Sequence, residues 1–158
     1  MSLYSHLELA ISDRGCEFIE DWEGLELVAY RDEKGIWTIG IGHIKTAHEG
    51  MVITKDEAYE LFRQDVNEYT SAINKFVTVA LSQRQYDSLV SLCFNIGIEG
   101  FRDSTVCREL NKGNYFEAAD AFLMWNKVTV QNRLRVSKGL KNRREAERQM
   151  FIEGIWHE

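Results

Sequence analysis

Glu23-Gly24-Leu25-Glu26-Leu27-Val28-Ala29-Tyr30-Arg31-Asp32-Glu33-Lys34-Gly35-Ile36-Trp37-Thr38-Ile39-Gly40-Ile41-Gly42-His43 changes its hydrophobic rhythm twice. Leu25, Leu27 and Ala29 alternate with Glu26, Val28 and Tyr30, the two-residue period of a strand. Arg31 to Gly35 has turn composition, because Asp bonds its own backbone and Gly takes positive φ. Ile36-Trp37-Thr38-Ile39 resumes as β, and Gly40 and Gly42 mark bends or close backbone approaches. Upstream, Ser12 is a good N-cap, and Phe18, Ile19 and Trp22 follow at helical spacing until Glu23-Gly24. One helix therefore gives way to a small antiparallel hairpin or three-stranded sheet within residues 25–53.

Downstream the period turns helical. Thr54-Lys55-Asp56-Glu57 is a capping box, and Ala58, Leu61, Phe62, Val66, Tyr69 and Ile73 form the apolar stripe of a long helix over 54–77. Ser82-Gln83-Arg84-Gln85 is a second capping box, opening a helix through Leu89, Leu92, Cys93 and Phe94 to Gly97. Asp103 or Ser104 caps the next helix, which stops at Gly113, and Asn114 with Glu117 opens another carrying Ala118, Ala121, Phe122 and Trp125. A last helix is expected over 140–152, ending at Gly154. The pattern is α+β: a small antiparallel β-lobe (25–53), a larger helical lobe (1–24 and 75–158) and a connecting helix (54–77), with a cleft between the lobes. Residues 1–158 are read as a single domain.

Composition bounds the function. With 44% hydrophobic and 28% charged residues, the chain is globular rather than disordered. Its longest apolar run, Ala121 to Trp125, falls far short of the roughly 20 residues of a membrane span, so no stable membrane insertion is expected. Met1 to Glu8 has neither the basic start nor the apolar core of a secretory signal. Three cysteines cannot all pair and are read as buried small apolar residues from a reducing site of synthesis. The net charge of −6 is unevenly spread: residues 1–33 hold nine acids against two bases, and residues 127–148 hold eight bases against two acids. The basic stretch reads as a solvated helix face. It contains no aromatic to stack on bases, so no nucleic-acid partner is expected.

Glu23, Asp32 and Thr38 sit where a globular fold gains little from polar side chains, and they can converge on one edge of the hairpin. Two carboxylates on opposite walls of a cleft are what glycosidic hydrolysis requires: one keeps a proton for the leaving oxygen, the other is ionised. Glu23 as a helix-end residue and Asp32 as a turn former are the plain alternatives. The surrounding residues decide between these readings. Residues 23–43 match, at every fixed position, the pattern E-G-x-x-L-x-A-Y-x-D-x-x-G-x-x-T-I-G-x-G-H. That pattern resembles the signature of phage-type lysozymes, the endolysins of tailed phages and their prophage relatives. Further blocks look similar in the same order: Ile53 to Ala58, Phe94 to Gly97 with Phe101 to Thr105, and Gly139-Leu140 with Arg143 to Arg148.

The resemblance implies a muramidase that hydrolyses the β-1,4 bond between N-acetylmuramic acid and N-acetylglucosamine, with inversion and without metal or cofactor. It assigns Glu23 as general acid, Asp32 as the carboxylate that activates water or steadies the oxocarbenium ion, and Thr38 as the holder of the water. It places His43, Phe94, Asn95, Ser104 and Arg143 among the substrate-binding positions, with Arg143 approaching Glu23 from the last helix. Neighbours on a helix point about 100° apart, so Arg144 and Arg148 are expected to differ from Arg143 in exposure. The expected partner is the peptidoglycan glycan strand, met by a monomer made in the bacterial cytoplasm and released to the wall. A lytic transglycosylase on the same scaffold and a catalytically silent wall-binding protein are the alternatives. Retention of both Asp32 and Thr38 speaks against the first, and the intact trio against the second.

Other candidates carry less. His43 and His48 lack further ligands at metal-binding spacing, and His43 is read as bonded to a carboxylate of the β-lobe. Gly40 and Gly42 lack the third glycine and following helix of a phosphate loop. Trp37 is the tryptophan singled out for sugar stacking. The segment between Trp125 and Gly139 lacks the glycine-rich turn of many relatives, leaving its shape open.

Overall fold

The computed structural model describes residues 9–156. Helix α1 (Asp13–Glu23) starts where Ser12 Oγ accepts the Gly15 N–H at 3.0 Å and stops at Gly24, whose φ of 75° lies in the left-handed region. Strands β1 (Glu26–Arg31) and β2 (Trp37–Gly40) pair antiparallel, with Tyr30 opposite Thr38 and Arg31 opposite Trp37. Among the described residues this sheet has two strands. The expected third strand is reduced to a single bridge between Val28 and Val52.

Helix α2 (Lys55–Phe76) carries the anticipated capping box at Thr54 and Glu57, and α3 (Gln83–Ile96) carries its own at Ser82 and Gln85. Every residue of α3 from Gln85 to Phe94 is buried, as expected of a helix surrounded by others. Short helices α4 (Ile98–Arg102), α5 (Thr105–Asn111) and α6 (Tyr115–Ala121) follow, then a 3₁₀ turn at Phe122–Met124. Strands β3 (Lys127–Val130) and β4 (Arg133–Val136) form a second antiparallel hairpin, and α7 (Lys138–Trp156) closes against α3. No helix among the described residues is long and apolar enough to cross a membrane.

The main core gathers residues from all seven helices, including Ile19, Phe62, Leu89, Phe101, Leu110, Phe122 and Phe151. The cluster under the first sheet is small: Ile39, Ile53 and Ala58 are its buried members. At about 1.5–3 kcal/mol for each large buried aliphatic side chain, it holds the sheet weakly by itself. A polar clasp adds to it. His43 Nδ1 lies 2.7 Å from Asp65 Oδ2 on α2, and its Nε2 accepts the Thr46 N–H at 3.2 Å. An Nε2 that accepts leaves the proton on Nδ1, so the ring donates to Asp65. The carboxylate partner thus comes from the connecting helix rather than from the β-lobe.

Two expectations are corrected, and the segment whose shape was open is a hairpin. The basic stretch is not one solvated helix face, since its first half is the β3–β4 hairpin and Arg143 and Arg144 are buried at 4% and 0% exposure. A tight two-residue turn forms without glycine because Gln131 (φ 52°) and Asn132 (φ 63°) both adopt the left-handed region. The last helix runs through Gly154 instead of stopping there: a Cβ at 154 would stand 2.5 Å from Ser82 Oγ and 3.0 Å from the Gln85 nitrogen. That glycine serves close packing of α7 on the start of α3.

Candidate active site

A cleft of about 550 Å³ lies between the first sheet and the helical body. Glu23, Asp32, Thr38, Phe94, Asn95 and Arg143 all line it. Glu23 closes α1, and the turn at Gly24 sends the chain directly into β1, so the carboxylate sits at the junction of the two bodies. Its Oε2 is ion-paired to Arg143, and its Oε1 packs over Gly42. A Cβ at position 42 would stand 2.5 Å from that oxygen, so the close approach signalled by this glycine is to Glu23 itself.

Asp32 lies across the cleft in the β1–β2 turn. Its Oδ1 accepts the Lys34 and Ile36 N–H groups, each at 2.8 Å, which folds the turn around it. Among the described residues its Oδ2 has no partner. The residue is a turn former and a free carboxylate oxygen at once. Thr38, 3% exposed, donates its hydroxyl proton to Ile36 O at 2.9 Å. With that proton engaged, the Thr38 oxygen can only accept from a molecule in the cleft.

Behind Glu23 lies a buried ionic network. Arg143 donates from Nε to Glu147 Oε2 at 3.2 Å and from Nη2 to Ser91 O at 3.2 Å. Burial alone would lower the Arg143 pKa, but Glu147 and Glu23 beside it outweigh that and raise it. Arg144 donates from Nη2 to Asn95 Oδ1 at 2.8 Å. Its Nε stands 2.8 Å from Glu147 Oε1 without the alignment of a hydrogen bond. Burial outweighs the nearby Glu147 and lowers the Arg144 pKa to about 10. Because Asn95 spends its carbonyl oxygen on Arg144, its amide NH₂ is the group left for the cleft.

The register prediction holds in one respect and fails in another. Arg143 and not Arg144 reaches Glu23, but Arg144 is no more exposed than its neighbour. The cause is coverage: α3 and the 3₁₀ turn both pack on α7, so two side chains about 100° apart are both enclosed. Arg148 keeps 34% side-chain exposure and pairs with Asp120.

Two expected substrate-binding residues do not line the cleft. His43 is 3% exposed and uses both ring nitrogens in the Asp65–Thr46 clasp. Ser104 caps α5, accepting the Cys107 N–H at 3.0 Å and donating to Phe101 O at 2.7 Å. Trp37 is not a lining residue either; the Arg31 guanidinium stands over its ring at 5.0 Å, and Trp22 is the tryptophan that lines the cleft. Asp65, Glu147 and Val128 were missed, since nothing local in the sequence marks an acid as buried or a hairpin as cleft-lining. Among the described residues no group of three or more His, Cys, Asp or Glu could hold a metal ion. Burial holds all three thiols above their ordinary range, Cys93 at about 12, which keeps them un-ionised near neutrality.

Two acidic side chains, Glu23 and Asp32, line one cleft together with the Thr38 hydroxyl, an arrangement compatible with glycoside hydrolysis. Comparison with known proteins specifies the kind. The sequence profile of the family described as "Phage lysozyme" matches residues 20–147, and this chain belongs to that family. The endolysin of Salmonella phage P22 is 42% identical over 149 residues, covering 91% of this chain and 99% of that protein. The solved endolysin from Escherichia coli O157:H7 phage FAHEc1 is 39% identical, covers 96% of this chain and 98% of its own, and superposes with a TM-score of 0.85. The muramidase domain of SpmX from Asticaccaulis excentricus is 40% identical, covers 90% and 97%, and superposes with a TM-score of 0.83.

Proposed function

We propose that the protein is a peptidoglycan muramidase of the phage lysozyme family, hydrolysing the β-1,4 bond between N-acetylmuramic acid and N-acetylglucosamine. The observation that carries this reading is the placement of Glu23, Asp32 and Thr38 on one cleft. Glu23 transfers its proton from Oε1, the oxygen Arg143 leaves free, to the glycosidic oxygen as its bond to C1 breaks. Oε2 stays on Arg143, which fixes the carboxyl plane. Asp32 Oδ2 faces the positive charge developing at C1 and the ring oxygen. A water donates a hydrogen bond to Thr38 Oγ1 and gives its other proton to Asp32 as its oxygen forms the new bond to C1, leaving Glu23 ionised and Asp32 protonated until exchange with solvent restores both. The Asn95 amide donates to the sugar chain, and Phe94 supplies an apolar wall. The chain works as a single domain of two lobes and as a monomer. It is made in the cytoplasm of a bacterial host and acts on the wall after release.

Product analysis tests this. Digests of purified peptidoglycan should yield new N-acetylmuramic acid reducing ends, each carrying one added water by mass. Fragments lacking that water, with an internal 1,6-anhydro ring, would overturn hydrolysis in favour of transglycosylation. The first-formed anomer, read by proton NMR, should be inverted.

A further inference from the structure

The β3–β4 hairpin reaches the cleft through Val128, and its register sorts its side chains onto two faces. Val128 pairs with Arg135 and Val130 with Arg133, so these four share one face. Lys127, Thr129, Leu134 and Val136 share the other. Val128 is 5% exposed and lines the cleft together with Gly139 and Leu140. Arg133 and Arg135 therefore lie on the face whose Val128 reaches the cleft, without themselves lining it. Both arginines are exposed, and no carboxylate among the described residues pairs with either. Arg63, Arg84, Arg102, Arg143, Arg144 and Arg148 all face acids, whereas Arg133 and Arg135, like Arg14, Arg31 and Arg108, have no ion pair among the described residues; of these five, only Arg133 and Arg135 stand side by side on one face of one strand.

The turn fixes this choice of face. Gln131 and Asn132 form a two-residue connection at positive φ, the tight form that keeps strict cross-strand pairing. One residue more or less in the turn would move Arg133 and Arg135 to the outer face.

We propose that Arg133 and Arg135 form a carboxylate-reading lip that binds the peptide branches of the peptidoglycan strand held in the cleft. The proposal rests on the muramidase reading above and adds which part of that substrate the hairpin contacts. The N-acetylated sugars of such a strand are neutral, and its carboxylates lie on the peptide branches. Guanidinium forks match carboxylates in a bidentate way. The outer face, with Leu134 at 71% and Val136 at 59% exposure beside Lys127, has no comparable charge alignment.

The test uses soluble peptide-bearing peptidoglycan fragments and the same fragments after their carboxylates are converted to amides with a carbodiimide and ammonia. Reducing-end release gives kcat and KM. Two exposed ion pairs together are worth about 2- to 30-fold in binding. The doubly substituted Arg133→Gln/Arg135→Gln protein should lose about that factor in kcat/KM on native fragments, mainly through KM, with Tm unchanged. On amidated fragments it should match the unsubstituted protein within about twofold, and raised salt should erase the difference on native ones. Lys127→Gln, on the outer face, should leave both substrates unaffected. Equal losses on native and amidated fragments, no loss on native fragments, or a Lys127→Gln loss as large as the double variant's would each overturn the lip. Absence of any new reducing ends from the unsubstituted protein on both substrates would instead overturn the muramidase reading beneath it.

Discussion

Gly42→Ala separates the two things that glycine does. Its φ of 67° costs an L-residue about 1–3 kcal/mol. Its Cβ would also stand 2.5 Å from Glu23 Oε1 and 2.9 Å from Phe94 Cε1. Ordinary contact begins near 3.4 Å, so the carboxylate oxygen must retreat by roughly 0.9 Å. Phe94 is a buried ring packed on Phe62 and Tyr69, so its overlap adds a folding cost that the φ strain alone does not cover. Arg143 holds the other oxygen, so the retreat falls on Oε1, the oxygen to which the proposed reaction assigns the proton. Misplacement of about 1 Å costs roughly 100-fold in rate. Gly50→Ala is the matched control: φ is 82° and no atom lies within 4 Å of its Cβ. Gly50→Ala should melt about 2–12 °C lower from its φ cost alone, at about 2–4 °C per kcal/mol for this size, and Gly42→Ala should melt lower still because of the Phe94 overlap. Only Gly42→Ala should lose about 10- to 100-fold in lysis of peptidoglycan suspensions, measured by turbidity well below either melting point. Full activity in Gly42→Ala, or an equal loss in Gly50→Ala, would refute the claim that this backbone approach sets the position of Glu23.

Glu147→Gln leaves Arg143 and Arg144 short of a buried counter-charge and should cost about 3–5 kcal/mol in denaturant unfolding; a cost under about 1 kcal/mol would contradict the network's role. Thr38→Val keeps the shape and removes the hydroxyl; it should cost about 0.5–1.5 kcal/mol of stability with the Ile36 bond, and less activity than removal of the Glu23 proton. Thiol labelling of the native protein should leave Cys93 and Cys107 untouched near neutrality. Cys16, whose pKa burial raises first and the Asp87 charge next, should react only at higher pH than a free thiol, because a raised pKa means less thiolate at any given pH.

What was legible in the sequence was local. Ser12, Thr54 and Ser82 each announce a helix start because their caps act over three residues. That Glu23, Asp32, Thr38 and Gly42 would share a cleft was legible because they fall within one helix end and the hairpin after it. What escaped was set by distant packing. Arg144 is buried because α3 and the 3₁₀ turn cover α7 from two sides, which no charge pattern on α7 reveals. The β3–β4 hairpin was hidden because Gln131-Asn132 adopts a geometry that Asn-Gly normally signals. Gly154 read as a helix stop, whereas the start of α3 pressing on it is the constraint. Ser104 matched a cleft-facing block in sequence and is spent on a helix cap.

The central claim is that Glu23 supplies the proton that breaks the glycosidic bond, and Glu23→Gln tests it most directly. The amide keeps the size of the side chain and removes the transferable proton, while Glu147 continues to compensate Arg143. The measurement is the rate of reducing-end release from peptidoglycan at matched, verified folding. The account predicts a loss of about 100- to 10,000-fold. Retention of more than about a tenth of the rate, against that expected loss, would mean that another group donates the proton.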